Sequence, residues 1–211
     1  VLNGANYTGS VSSNSVTVTI SAAGLQALTD GDTYTMTANV SDAAGNAAAE
    51  VTSSSFSVDT TLPSISAIAT GAFSWGAVLN GTEDNANGTV TVSTTGVEDG
   101  QTVTITLNSA NYTNTITDNA TTVTITAAGL QALTDGQSYT MTANVSDAAG
   151  NAASEVTSSA FTVNSSLPTI AAIETSAFSW GAVLNATEDN SNGTVTVTTT
   201  GVDDGQTLTI V

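Results

Sequence analysis

The chain has 211 residues, 18 of them Asp or Glu, and contains no Lys, Arg, His or Cys, so its formal net charge is −18. That inventory excludes disulfides, thiol chemistry and zinc–thiolate sites, side-chain salt bridges, and nucleic-acid binding by phosphate neutralisation, which depends on Lys and Arg. It also speaks against an enzyme: a general base near neutral pH would have to be a carboxylate, and the pairs Glu83–Asp84 and Glu98–Asp99 are adjacent in sequence, not set across a cleft.

No stretch approaches the ~20 apolar residues of a spanning helix, and an anionic membrane would repel the chain. Disorder is a poor reading, because 40% of residues are hydrophobic and they alternate regularly. LTDGDTYTMTANVSDAAGN begins at Leu28 and LTDGQSYTMTANVSDAAGN at Leu133, which fixes a repeat of 105 residues.

Taken in order, Val16–Ile20 reads as a strand, Ala22–Gly31 as a turn with one short helical turn, Thr33–Val40 as a strand and Val51–Val58 as the last strand of its unit. Residues 59–63, closed by Pro63, are too short and stiff for a flexible tether. The complete unit covers 59–164, with strands over Ile65–Ile68, Thr89–Thr95, Thr102–Leu107, Tyr112–Ile116, Thr122–Thr126, the stretch after Tyr139, and Val156–Val163. Residues 1–58 are the closing part of one repeat and 165–211 the opening part of another. About seven short strands with turns between them predict an all-β fold, tandem immunoglobulin-like β-sandwiches in a rod-like array. Leu133, Gly136 and Tyr139 have the spacing of a tyrosine corner.

LNGTED from Leu79, TVTVSTTGVEDGQTVTITL from Thr89 and ALTDGQSYTMTANVSDAAGN from Ala132 follow one another in each unit. The series resembles the bacterial immunoglobulin-like tandem repeats of giant surface adhesins and biofilm proteins. That resemblance implies an extracellular, cell-surface rod that carries an adhesive tip, with Ca²⁺ stiffening the domain junctions. The chain departs from it in lacking every basic residue and in having Asn164 where the first junction has Asp59.

On such a sandwich the loop with Glu98 and Asp99, the loop with Asp147 and Asn151, and the incoming linker with Asp59 share one pole. Oxygen donors in irregular number suit Ca²⁺. The repeat places Asp42 and Asn46, and Asp203 and Asp204, at equivalent positions, and Glu83, Asp84 and Asp135 form a candidate second cluster at the opposite pole. The competing reading is that Asp and Asn are good turn residues that keep a rod soluble. Trp75 and Trp180 each follow a Phe two residues earlier and read as core anchors before sugar-stacking platforms.

The expected function is a structural extender of tandem units, joined head to tail to neighbouring repeats and able to self-associate into filaments. A subunit of an extracellular filament or surface layer is the alternative, and a carbohydrate-binding module a third. The two end segments, as complementary parts of one repeat, are each expected to be completed by a neighbouring copy or by further chain, and not by folding onto each other.

Overall fold

A computed structural model describes residues 1–211; its hydrophobic core lies within residues 65–163, called the central unit, and the stretch on either side, which repeats part of that unit's sequence, is called a partial unit. The first partial unit contains helix α1 (Ala22–Gln26) and four two-residue strands: β1 (Thr33–Tyr34), β2 (Thr37–Ala38), β3 (Val51–Thr52) and β4 (Phe56–Ser57). The central unit follows with β5 (Ser64–Ile65), β6 (Val78–Asn80), β7 (Gly88–Thr95), β8 (Thr102–Leu107), β9 (Ala110–Thr115), β10 (Ala120–Ile125), α2 (Ala127–Gln131), β11 (Ser138–Tyr139), β12 (Thr142–Asn144), β13 (Val156–Thr157) and β14 (Phe161–Asn164). The last partial unit pairs β15 (Thr169–Ile170) with β16 (Thr199–Thr200).

In the central unit one layer has the order β10-β7-β5, all antiparallel. The other contains β13-β12-β8-β9 and β11-β14-β6, in which β14 runs parallel to β6 while every other pairing is antiparallel. β11 with β12, and β13 with β14, are two strands each interrupted once. At the interruption the hydroxyl of Ser158 accepts the Met141 N–H at 2.9 Å, replacing a rung of the ladder. Two antiparallel layers closed at one edge by a parallel pair make an all-β immunoglobulin-like sandwich.

Alternation fills the space between the layers. Val90 and Val92 of β7, Val103, Ile105 and Leu107 of β8, and Val123 and Ile125 of β10 point inward, while the threonines between them face solvent or are half-buried. At one end of this core Phe161 meets Trp75 edge-on at 5.3 Å, and Trp75 stacks on Phe73 at 5.4 Å. Gly88 is required there, because a Cβ on it would lie 2.5 Å from the Trp75 ring. Trp75 is 5% exposed, so no indole face is offered to a ligand, and its buried N–H has no hydrogen-bond partner. Trp180, at the same repeat position, is half-buried.

Asn108 and Ser109, at φ 47° and 66°, make the two-residue turn joining β8 to β9. The tyrosine corner has formed: the Tyr139 hydroxyl accepts the Thr134 N–H at 2.9 Å, and Tyr34 accepts the Thr29 N–H in the same way. Tyr139→Phe keeps the ring and strands that N–H, so chemical denaturation should show a loss of about 1–2 kcal/mol in the central unit. An unchanged midpoint would mean that water replaces the bond.

The partial units adopt the same pairings as their counterparts but bury little. Val18 is 42% exposed where Val123 is 0%, and Leu184 is 54% exposed where Leu79 is 0%. Val16–Ile20, expected as a strand, is not one, and Thr33–Val40 shortens to β1 and β2. The reason is pairing: the equivalent Thr121–Ile125 is held by β7, and residues 1–58 contain no counterpart of β7. Neither strand pairing nor hydrogen bond joins residues 165–211 to residues 1–58.

Candidate functional site

One pole of the central unit gathers three separate stretches. Met141, Ala143 and Val145 alternate inward, and the same period carries Asp147 to the inner side, where it is 4% exposed at the mouth of the loop. A carboxylate so placed needs donors. It accepts the Asn151 N–H at 2.7 Å on Oδ1 and the Asn151 amide at 2.9 Å on Oδ2. Burial pushes the Asp147 carboxyl up, but the Asn151 side chain, the Asn151 N–H and other loop N–H groups outweigh it and hold the group below the usual carboxylate range. A lowered folded value means that Asp147 stabilises the fold at neutral pH, and that this contribution is lost as pH falls through the folded value. Asp42 has the same partners in Asn46 and is likewise held low, first by the Asn46 amide.

The other two stretches are tied to this loop. Glu98 Oε2 accepts the Ala148 N–H at 2.8 Å, and the Asn151 amide also donates to the Asp59 backbone carbonyl at 3.1 Å. Asp99 faces the neighbouring turn, where Oδ1 accepts the Asp118 N–H at 2.8 Å. Asp59 Oδ1 accepts the Thr61 N–H at 3.2 Å. Glu98, Asp147, Asn151 and the Asp59 main chain therefore meet, with Asp99 beside them. Glu98 Oε1, Asp99 Oδ2, Asp59 Oδ2 and Asn151 Oδ1 have no donor. The donor set is oxygen only, which fits Ca²⁺ in chemistry, although no three acidic side chains converge closely enough to hold a metal. Asp203 and Asp204 lie exposed on the equivalent loop of the last unit.

The opposite pole differs from the expected acidic cluster. Glu83 turns to its own loop, where Oε2 accepts the Asn80 N–H at 3.1 Å, and Asn80 Oδ1 in turn accepts the N–H groups of Thr82 and Glu83. Asp84 lies half-buried in the same short turn. Asp135 binds the outgoing linker: Oδ1 accepts the Ser165 N–H at 2.7 Å and Oδ2 the Ser166 hydroxyl. Asp30 does the same one repeat earlier, with the Thr60 N–H and the hydroxyls of Thr60 and Thr61. Both carboxyls are held below the usual range, led by the hydroxyl of the second linker residue. Sequence reasoning missed this role, since the partners lie 30 residues apart. The available signal was that an Asp in LTDG recurs with a hydroxyl pair, Thr60–Thr61 or Ser165–Ser166, after each closing strand.

A cleft of about 540 Å³ lies beside the second linker, lined by Asn80, Gly81, Glu83, Ser166, Pro168 and Gly201 among others, and is largely polar. No helix is long and apolar enough to cross a membrane.

No protein-family model matches the sequence, and no curated protein matches it. Among solved structures, the chain is 29% identical to a Ca²⁺-stabilized adhesin that helps an Antarctic bacterium reach out and bind ice, over 82% of this chain and 42% of that one, with a TM-score of 0.43. It is 28% identical to a 1.5-MDa bacterial ice-binding adhesin studied for host cell surface retention, over 64% of this chain and 42% of that one, with a TM-score of 0.37. It is also 28% identical to a bacterial immunoglobulin-like domain of the M. primoryensis ice-binding adhesin, over 49% of this chain and 96% of that domain, with a TM-score of 0.35. The chain thus spans 42% of the length of the first two structures it matches.

Proposed function

We propose that this chain is an extender segment of a large bacterial cell-surface adhesin, in which immunoglobulin-like units stand head to tail and Ca²⁺ stiffens their junctions. The observation that carries the reading is the junction itself. The linker after the first unit is hydrogen-bonded to Asp30 of the unit before it and to Asn151 of the unit after it. The broad outer faces are rows of Thr, Ser and Asn, such as Thr157–Thr142–Thr106–Asn111, which suit a solvated spacer. A carbohydrate-binding module is disfavoured by the burial of Trp75.

In this reading Glu98, Asp147, Asn151 and the Asp59 carbonyl, already joined by hydrogen bonds, mark the cation site at the first junction, and the Glu98, Asp99 and Asp59 carboxylates would have to turn inward to complete it. Bound there, Ca²⁺ would supply positive charge to a stretch that has no Lys, Arg or His. Calcium should then stabilise the folded state by mass action, by about 2.7 kcal/mol at a hundredfold excess over its dissociation constant, and raise the melting midpoint accordingly. The Glu98→Gln and Asp99→Asn double variant should lose most of that gain. Identical melting curves in excess calcium and in chelator would remove the metal from the proposal.

A further inference from the structure

We propose that Asp30 and Asp135 are joint-locking residues that fix the direction in which the chain leaves each unit, so that the angle between units is set by a clasp needing no metal. The inference rests on the reading of the chain as a series of joined units and adds to it a second source of stiffness. Three observations support it.

The clasp occurs twice, built from different residues of the same chemistry. Ser165 N–H and Oγ lie 2.7 and 3.4 Å from Asp135 Oδ1, and Ser166 Oγ reaches Oδ2. At the earlier joint Thr60 Oγ1 is 3.0 Å from Asp30 Oδ1, and Thr61 Oγ1 is 2.6 Å from Oδ2. One carboxylate thus holds two successive linker residues through separate oxygens, which fixes direction as well as distance.

The carboxylate itself stands on a fixed base. The Gly136 N–H donates to the Val163 carbonyl at 2.9 Å and the Val163 N–H to the Gln137 carbonyl at 2.9 Å; Gly31, Val58 and Asp32 repeat both bonds. The turn bearing the Asp is therefore pinned to the end of the strand from which the linker departs.

Each linker also lies against at least one glycine of a flanking unit. A Cβ on Gly81 would stand 2.5 Å from the Ser165 carbonyl, so the loop of the central unit lies directly against the linker main chain. On the far side Pro63 is 3.6 Å from where a Gly96 Cβ would be, and Pro168 stands at the same 3.6 Å from Gly201. Two linker residues belong to the preceding unit and the proline to the following one. Leu62 and Leu167 lie between them and are exposed.

The absence of native cysteine allows two introduced cysteines to carry the only spin labels. Labels at exposed Thr113 and Thr199 in the full chain read the second joint by pulsed dipolar spectroscopy. In chelator, Asp135→Ala should at least double the width of the distance distribution, while Asp30→Ala, at the other joint, should leave it unchanged. The Ser165→Ala, Ser166→Ala variant keeps Asp135 and the linker N–H, and should broaden it by less. It also serves as the test should Asp135→Ala lower the melting midpoint of the central unit. Equal widths in wild type and in both variants would overturn the clasp and leave calcium as the only stiffener. Broadening confined to calcium-containing samples would also overturn it, because Asp135 would then act through the metal. Broadening in chelator with no calcium effect anywhere would keep the clasp and remove the metal.

Discussion

A polypeptide in which residues 165–210 run directly into residues 1–58 is expected to fold as one cooperative sandwich. Val1 and Val211 occupy the same repeat position, and Val1 already stands where Thr106 stands, accepting the Thr37 N–H at 3.1 Å as part of a β12–β8-like pairing. The apolar side chains exposed on one partial unit are those whose counterparts close against the other inside the central unit. Ile170, Leu184 and Ile210 correspond to Ile65, Leu79 and Ile105, while Val18, Leu25 and Val40 correspond to Val123, Leu130 and Val145. Joined, they should give a sharp thermal transition and a blue-shifted Trp180. A second version that retains Val211 inserts one residue into the strand, which turns every later side chain to the opposite face unless a bulge absorbs it. It should melt lower. Equal melting of the two versions, or no transition in the first, would break the equivalence between the partial units and the central one.

Phe161→Ala should be among the most damaging single changes in the central unit. Phe161 is buried at the meeting point of Phe73, Trp75 and Tyr139, with ring centres at 5.8, 5.3 and 6.2 Å. Removing such a ring costs about 3–5 kcal/mol, which in a domain near 100 residues lowers the midpoint by about 12 °C or more. Phe56, its counterpart, is half-buried beside Tyr34 alone. Phe56→Ala should cost well under half as much, measured in the same melt. Similar losses at the two positions would show that the first unit is packed in solution to the standard of the second.

What could be read from the sequence was whatever depends on neighbours within one strand or turn. The period of Met141, Ala143 and Val145 announced the inner face, and the Leu133–Gly136–Tyr139 spacing announced the corner, because both are local. Strand order then brought Asp59, Glu98, Asp147 and Asn151 to one pole. Pairing across the chain was harder to read. Val16–Ile20 alternates as well as Thr121–Ile125, yet only the latter is a strand, since extended backbone is held by a partner and not by its own pattern. The Asn108–Ser109 turn was hidden for a different reason, as it lacks the glycine that usually signals two left-handed residues. Asp135 was assigned to an acidic cluster because periodicity places it at the right pole but says nothing of the path of the linker past it.

The near-identity of successive units also bears on the kinetics of folding. Val16–Ile20 and Thr121–Ile125 differ only in their first residue, so either segment presents β7 with the same inward Val and Ile. In a denatured array the wrong segment is tethered to β7 by a stretch more than twice as long as the right one, so its effective concentration is only about fourfold lower. Refolding from denaturant is thus a competition between intra-unit closure and strand exchange, the common failure of repeated domains. Synthesis from the N-terminus relieves it, because each unit closes before its twin has emerged.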